Sequence, residues 1–322
     1  MNIDIKRHLK NSLFMSDIEL FEFAKTCPHR YKVYEINKKN GGTRTIAHPS
    51  KELKYVQNVI VNVLKAHLPV HRCAFAYVPN KNIKENALLH VKNPYILKMD
   101  FKDFFPSITP GLFFNECEKY NIHLSKEDEI LIANFLFWKK KRAHKLVLSI
   151  GAPSSPFISN FIMYSFDALI NEYCANHGII YSRYADDLTF STQENGVLAS
   201  LPKIISEKLN TLYRKSIRIN SEKTTFVSKA RSRKVTGLVL TNENKVSIGR
   251  DRKRQISAMV HQYTLGKITD RKEIEKLKGI INFAVYIDPI FLNFLIHKYG
   301  ESNIKTLYKI KSYSDFEICK NK

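Results

Sequence analysis

From Tyr95 onward the hydrophobic and polar positions fall into runs with sharp ends. Tyr95-Ile96-Leu97-Lys98-Met99 follows Pro94, is mostly apolar and closes on a carboxylate, Asp100; such a run predicts a strand. Ile179 to Tyr184 and Leu188 to Ser191 predict two more strands, joined by the turn Ala185-Asp186-Asp187. Ser125 with Asp128 three residues later has the form of a capping box. It predicts a helix with the stripe Ile130, Leu131, Asn134, Phe135 and Trp138. Ser155-Pro156 opens another helix, because proline suits the first helical position. The stripe there is Ile158, Phe161, Ile162, Ser165, Leu169 and Tyr173, and Gly178 stops it. Ile204 to Tyr213 predicts a helix and Ile217 to Asn220 a strand.

The order from Tyr95 is therefore β-α-β-β-α-β, with extra helical matter inserted in the first α region. That is the split, ferredoxin-like arrangement of an α+β fold. Its antiparallel hairpin can lie beside the first strand, which would make Asp100 and Asp186 neighbours at one sheet edge. Upstream, Tyr31 to Ile36 alternates, Asn40-Gly41-Gly42 signals a turn, and Arg44-Thr45-Ile46 is the returning strand. Lys38, Lys39 and Arg44 surround the tip of that hairpin. They suit either an ordinary basic hairpin or a grip on a triphosphate. Leu53 to Leu68 has helical spacing, with Val56, Ile60, Val63, Leu64 and Leu68 on one face. After Val246 the pattern turns helical, over Gly249 to Leu265 and Lys272 to Tyr286, and the start of this tail is basic.

Size and charge narrow the field. A chain of 322 residues with 44% apolar content has room for two or three compact units with real cores. The formal net charge is +22. Between Lys203 and Arg254 there are 15 Lys/Arg against 4 Asp/Glu, and Lys139-Lys140-Lys141-Arg142 has no acid beside it. A surplus of that size favours a nucleic-acid partner over a membrane surface or an acidic protein. Affinity would then fall steeply with salt, by a slope of about −0.9 per phosphate neutralised on duplex. No run approaches the roughly 20 apolar residues that a spanning helix needs. Met1 to Lys10 is polar and mixed in charge, unlike a signal peptide, so no membrane association and a cytoplasmic location are expected. Cys27, Cys73, Cys117, Cys174 and Cys319 lie far apart without metal-ligand spacing and are expected to be reduced, structural thiols.

The acids stand out against this basic background. Asp100, Asp186 and Asp187 would meet where the three strands end, and clustered carboxylates repel unless cations lie between them. Mg²⁺ takes oxygen ligands, often one or two carboxylates plus substrate phosphates. Two such ions about 3.5–4 Å apart can clamp the attacking and leaving oxygens of a phosphoryl transfer. An Asp-Asp pair at a hairpin tip is also what a plain turn looks like. The flanking segments decide between the two.

Those segments resemble a reverse transcriptase, and specifically a bacterial retron reverse transcriptase. Lys98-Met99-Asp100-Phe101-Lys102-Asp103-Phe104-Phe105-Pro106-Ser107-Ile108 resembles the first palm motif, and Gly151-Ala152-Pro153-Ser154-Ser155-Pro156 the second. Tyr184-Ala185-Asp186-Asp187 resembles the polymerase hairpin, and Asn220 with Lys223-Thr224 the motif after it. Gly237-Leu238 stands where the family grips the primer end. Asn86-Ala87-Leu88-Leu89-His90 is similar to the NAxxH pattern of the retron branch, and Val235-Thr236-Gly237 to its VTG triplet. The match runs in order from about Tyr31 to at least Leu240. One departure is Ile150, where the family commonly has Gln; an amide contact to base or template from that position is lost.

The resemblance implies a right-hand polymerase with fingers, a ferredoxin-like palm and a helical thumb. The fingers would be residues 1–94 with an insertion at 111–150, the palm 95–110 and 151–243, and the thumb, with RNA-binding surface, 244–322. It implies that Asp100, Asp186 and Asp187 hold two Mg²⁺ ions, with Mn²⁺ as a possible substitute. Phe101 would offer backbone atoms near the metal and triphosphate. Phe105 would lie beneath the sugar and exclude a 2′-hydroxyl, with Phe104 in the core. Lys38 and Arg44 would hold the triphosphate, Lys223 would neutralise or protonate the leaving group, and Gly151 to Ser155 with Tyr184 would line base and template. Expected partners are dNTPs, a cognate structured noncoding RNA and its DNA copy. The copy would be primed from an internal guanosine 2′-hydroxyl to give a branched product. Asn86, His90, Thr236 and the basic helices after Arg250 would touch that RNA. A host ribonuclease H would remove the template, since no such segment follows the helical tail, and a separate effector protein would act with the chain in phage defence. The rival reading is a non-catalytic RNA-binding scaffold for such an effector; an intron-type relative is disfavoured by the short length and the VTG triplet.

Overall fold

A computed structural model describes residues 2–38 and 41–309. The chain divides into two compact units. The first comprises Met1–Asn82 with Tyr95–Phe226, the second Ile83–Pro94 with Val227–Lys322. The segment Ile83–Pro94, grouped with the fingers in the sequence reading, thus folds with the C-terminal third of the chain.

The first unit is built on a four-stranded sheet in the order Thr225–Val227, Tyr95–Asp100, Asp187–Thr192, Ile179–Tyr184. Numbered along the chain, that is the 4-1-3-2 order of the split β-α-β-β-α-β motif. Both pairings around Asp187–Thr192 are antiparallel, with Asp100 opposite Asp187 and Tyr184 opposite Asp187. Leu97, Met99, Leu188 and Phe190 are buried, and Tyr181 and Phe190 stack with ring centroids 5.0 Å apart. The helices Tyr164–Asn176 and Leu201–Tyr213 pack against this sheet through Phe166, Ile170, Ile205 and Leu209.

The same apolar core continues into the N-terminal helices. Ser125 caps the helix Lys126–Leu136 with the expected reciprocal bonds to Asp128. Its buried face is Leu131, Ile132, Phe135 and Leu136; Ile130 faces out, and Trp138 lies beyond the helix in a short strand paired with Val147. The hairpin Tyr31–Asn37 with Thr43–Pro49 forms as read, and the helix Lys51–Lys65 follows it, capped by Ser50.

Two expectations shift. The helix opened by Ser155-Pro156 breaks at Met163, and a second helix runs over Tyr164–Asn176. The break moves the inward face by one residue, so Phe166, Ile170 and Cys174 are buried where Ser165, Leu169 and Tyr173 were expected. Ile217 to Asn220 is not a strand. Ile219 makes a single bridge to Phe101, and the turn Ser221–Lys223 bends the chain before Thr225–Val227 joins the sheet.

In the second unit the helix Ile83–His90 packs against an antiparallel sheet of Arg233–Val235, Leu238–Leu240 and Val246–Ser247. Helices Arg250–Thr264, Arg271–Ile287, Ile290–Tyr299 and Glu301–Lys309 follow, joined around Val260, Leu277, Ile281, Leu295 and Leu307. Among the described residues no helix is long and apolar enough to cross a membrane.

Candidate active site

The acid-bearing hairpin is as tight as a hairpin can be. Tyr184 pairs with Asp187, leaving Ala185 and Asp186 as the two loop residues. Right-handed strand twist demands a primed turn in so short a loop, with positive φ at its first central residue. Ala185 supplies it at φ 56°, although a Cβ makes that region unfavourable. The Phe101 N–H donates to the Asp186 carbonyl at 3.1 Å, and the Asn220 N–H to the Asp100 carbonyl at 2.7 Å. The turn is therefore stitched to the strand Tyr95–Asp100 on one side, and the Asn220 segment to its other side.

This geometry gathers the three aspartates at one end of the sheet. Asp100 is almost buried, with 9% exposed, Asp186 is half-buried and Asp187 faces out. Partial removal from water and then the charges of Asp186 and Asp100 push the Asp187 carboxyl up to about 6. Asp186 is raised by burial and by Asp100, against smaller opposing effects of Lys223 and Arg44. Lys223 puts its ammonium 2.9 Å from both oxygens of Asp100.

The donor set is all carboxylate oxygen, self-repelling and partly desolvated, which fits a hard divalent cation. Among the described residues no three His, Cys, Asp or Glu side chains already close around one point as a metal cage. A cage is not what Mg²⁺ requires, since it keeps several waters and shares carboxylates with substrate phosphates. Asp100, Asp186 and Asp187 therefore fit the ion.

A cavity of about 450 Å³ is lined by His48, Lys54, Tyr77, Phe105 and the loop Ser149–Pro153, and its wall residue Tyr77 feels the charge of Asp186. That volume suits a ligand of nucleotide size. Phe105 is in its wall, whereas Phe104 is buried and stacks on Phe101 at 5.1 Å. Gly151, at φ 121°, lets the loop press against the hairpin strand; a Cβ there would lie 3.1 Å from the Ala47 carbonyl oxygen. The Ile150 carbonyl accepts from the Ala47 N–H at 3.0 Å, so the position where Gln was expected holds loop to hairpin through its backbone. Arg44 is exposed on that hairpin and acts electrostatically on both Asp186 and Tyr77.

Other expected residues are placed differently. The Phe101 side chain is buried and its N–H donates to the Asp186 carbonyl, so of the backbone atoms expected near metal and triphosphate the amide is engaged and the carbonyl is the one left for that role. Lys38 is exposed at the hairpin tip, and among the described residues no contact joins it to the aspartates; Lys39 lies outside the described residues. Asn86 and His90 are completely buried, and burial pushes His90 down to about 3. They are interior residues of the second unit rather than RNA-facing ones. The Thr236 hydroxyl donates to the Ile83 carbonyl at 3.2 Å. Val235 pairs with Leu238, and Thr236 and Gly237 both have positive φ, at 46° and 80°. The VTG triplet is thus a tight primed turn, which needs φ > 0 at both central residues and explains the glycine. Lys54 and His48 were missed; Lys54 lies on the helix after the hairpin and His48 between Ala47 and Pro49 on its second strand, and nothing local marked them.

The four described cysteines are buried thiols, each pushed up to about 12 by burial.

The reverse transcriptase (RNA-dependent DNA polymerase) family profile matches residues 36–240. The Escherichia coli retron Ec83 reverse transcriptase is 43% identical over 98% of this chain and 99% of its own length. The Escherichia coli retron Ec86 reverse transcriptase is 32% identical over 86% of this chain and 85% of its own. Among solved structures, an apo telomerase from Candida tropicalis overlaps 83% of this chain and 59% of its own at 13% identity and a TM-score of 0.48, too loose a match to bear on function. The family profile and the two retron relatives, together with the 4-1-3-2 sheet and the acid-tipped hairpin, show that the chain belongs to the retron reverse transcriptases, RNA-directed DNA polymerases of the right-hand α+β fold.

Proposed function

We propose that this polymerase copies part of its own structured noncoding RNA into DNA, with Asp100, Asp186 and Asp187 holding two Mg²⁺ ions where the nucleotide is joined. One observation carries this reading: Asp100 and Asp187 stand directly opposite in register, with Asp186 in the turn between strands. Bound there, the two ions would lower the pKa of the attacking hydroxyl and offset the charge of the leaving pyrophosphate. The protein's part is positioning. Phe105 in the cavity wall would press on the sugar, the Gly151 loop would let template and base approach its backbone, and Arg44 would steady the triphosphate. Lys223 would move between Asp100 and the charge developing on the leaving group.

Likeness to retron reverse transcriptases supports the rest: priming from an internal 2′-hydroxyl, a branched RNA–DNA product, template removal by a host ribonuclease H, and a separate effector in phage defence. A non-catalytic scaffold would gain nothing from the repelling acids, which weaken RNA binding.

The test is Asp186→Asn. It should abolish Mg²⁺-dependent dNTP incorporation on a primed RNA template and leave RNA binding intact. Undiminished incorporation would remove the metal reading.

A further inference from the structure

Directly behind the acid-bearing turn lies a buried ion pair that the site as described does not use. Arg183 and Asp167 are both fully buried. The guanidinium Nε donates to Asp167 Oδ1 at 2.9 Å and Oδ2 at 3.1 Å, and Nη2 to Oδ2 at 2.7 Å. The Tyr181 hydroxyl donates to the same carboxylate at 2.7 Å. Nη1 points elsewhere, donating to Asn160 Oδ1 at 3.0 Å and to the Ala185 carbonyl at 3.1 Å. Asn160 is itself held, its amide donating to the Ala76 carbonyl at 2.9 Å. The Arg183 backbone is anchored on the same segment, with its N–H on the Cys73 carbonyl and its C=O accepting from Phe75, both at 2.8 Å.

Stability does not account for this cluster. Taking two charges out of water costs more than their attraction commonly returns, and apolar residues of similar volume often do as well or better. What an apolar pair could not do is bond the Ala185 carbonyl. Ala185 is the residue held at φ 56° in the turn that presents Asp186. The guanidinium fork is rigid and planar, so anchoring one edge on Asp167 sets the direction of the other.

We propose that Arg183 is a positioning residue: braced by Asp167 and Asn160, it grips the Ala185 carbonyl and holds Asp186 and Asp187 in place opposite Asp100. This rests on reading the three aspartates as the cation site.

The double variant Arg183→Met/Asp167→Leu removes both charges and the grip together. It leaves the Tyr181 hydroxyl and the Asn160 amide oxygen without those partners, so it should melt below the wild type, but the folded protein should bind RNA normally. The Mg²⁺ concentration for half-maximal incorporation should rise about fivefold, the scale of one lost hydrogen bond, and kcat should fall, with KM for dNTP little changed. Arg183→Lys keeps a charge for Asp167 but cannot span to the Ala185 carbonyl as well; it should show the same rise even if the double variant does not fold. Adding Ala185→Gly should recover part of the loss, because glycine adopts positive φ freely. A wild-type Mg²⁺ requirement in Arg183→Lys, or in a folded double variant, overturns the proposal. If Asp186→Asn is inactive while Arg183→Lys behaves as wild type, this inference alone fails. An active Asp186→Asn removes the cation reading instead.

Discussion

The ammonium of Lys223 lies 2.9 Å from each carboxylate oxygen of Asp100. It occupies the place a cation would contest. The pair is partly exposed, so its worth is about 1 kcal/mol or less. Lys223→Met should therefore tighten Mn²⁺ binding to the free protein by up to about fivefold, read by titration calorimetry or electron paramagnetic resonance. Incorporation should slow all the same, since the leaving group loses a neutralising charge. Unaltered Mn²⁺ affinity would mean that Lys223 does not compete.

Asp187 gives a pH signature. Its carboxyl is raised from the ordinary 3.8 to about 6 by partial removal from water and by its two acidic neighbours. A raised carboxyl favours the fold while protonated. Its contribution is complete below the ordinary value and is lost as pH climbs through 6. In EDTA the wild type should thus lose melting temperature relative to Asp187→Asn between about pH 4 and pH 7. Mg²⁺ should narrow the gap at neutral pH. Parallel melting curves of the two proteins across this range would show that the acids do not strain each other.

Phe105 is expected to set sugar selectivity. Phe105→Ala should raise ribonucleotide incorporation relative to deoxynucleotides by about 10-fold or more, the discrimination that a few kcal/mol of steric exclusion supplies. The ratio of kcat/KM for matched rNTP and dNTP measures it. An unmoved ratio would place the selective contact on another residue.

His90 titrates in the opposite sense. Burial lowers it from 6.5 to about 3, so it favours the fold while neutral, and that contribution falls away as pH drops below 6.5. Acid should lower the wild-type melting temperature in this range more than that of His90→Phe. His90→Ala should impair cognate and generic templates alike, through stability. Thr236→Ala, at a half-exposed turn, should depress use of the cognate RNA more than of a generic primed template. Equal losses for Thr236→Ala on both templates would deny the turn a part in choosing the RNA.

Much of the catalytic framework could be read from residue order because strands that end in acids announce themselves. Tyr95–Asp100 and Ile179–Tyr184 begin and end where the apolar runs do, and the split motif follows from their order. The helix break at Met163 was invisible: Phe161-Ile162-Met163 is an unbroken apolar run, and neither proline nor glycine marks the change of phase. Asn86 and His90 misled for the opposite reason, since polarity suggested solvent and the fold put both inside. The Arg183–Asp167 pair left one clue, two opposite charges on faces that otherwise point inward, but a contact across 16 residues needs the packing of helix on sheet to be seen.

The packing of Ile83–His90 against the VTG turn has a practical corollary for engineering. Arg233, buried beside that turn, donates to the carbonyls of Val91, Asn93 and Thr241, binding both stretches of chain by main-chain bonds that no surface similarity reveals. Chimeras that exchange C-terminal portions between retron polymerases should graft 83–94 along with 227–309; a crossover confined to either stretch would pair a donor helix with a foreign sheet.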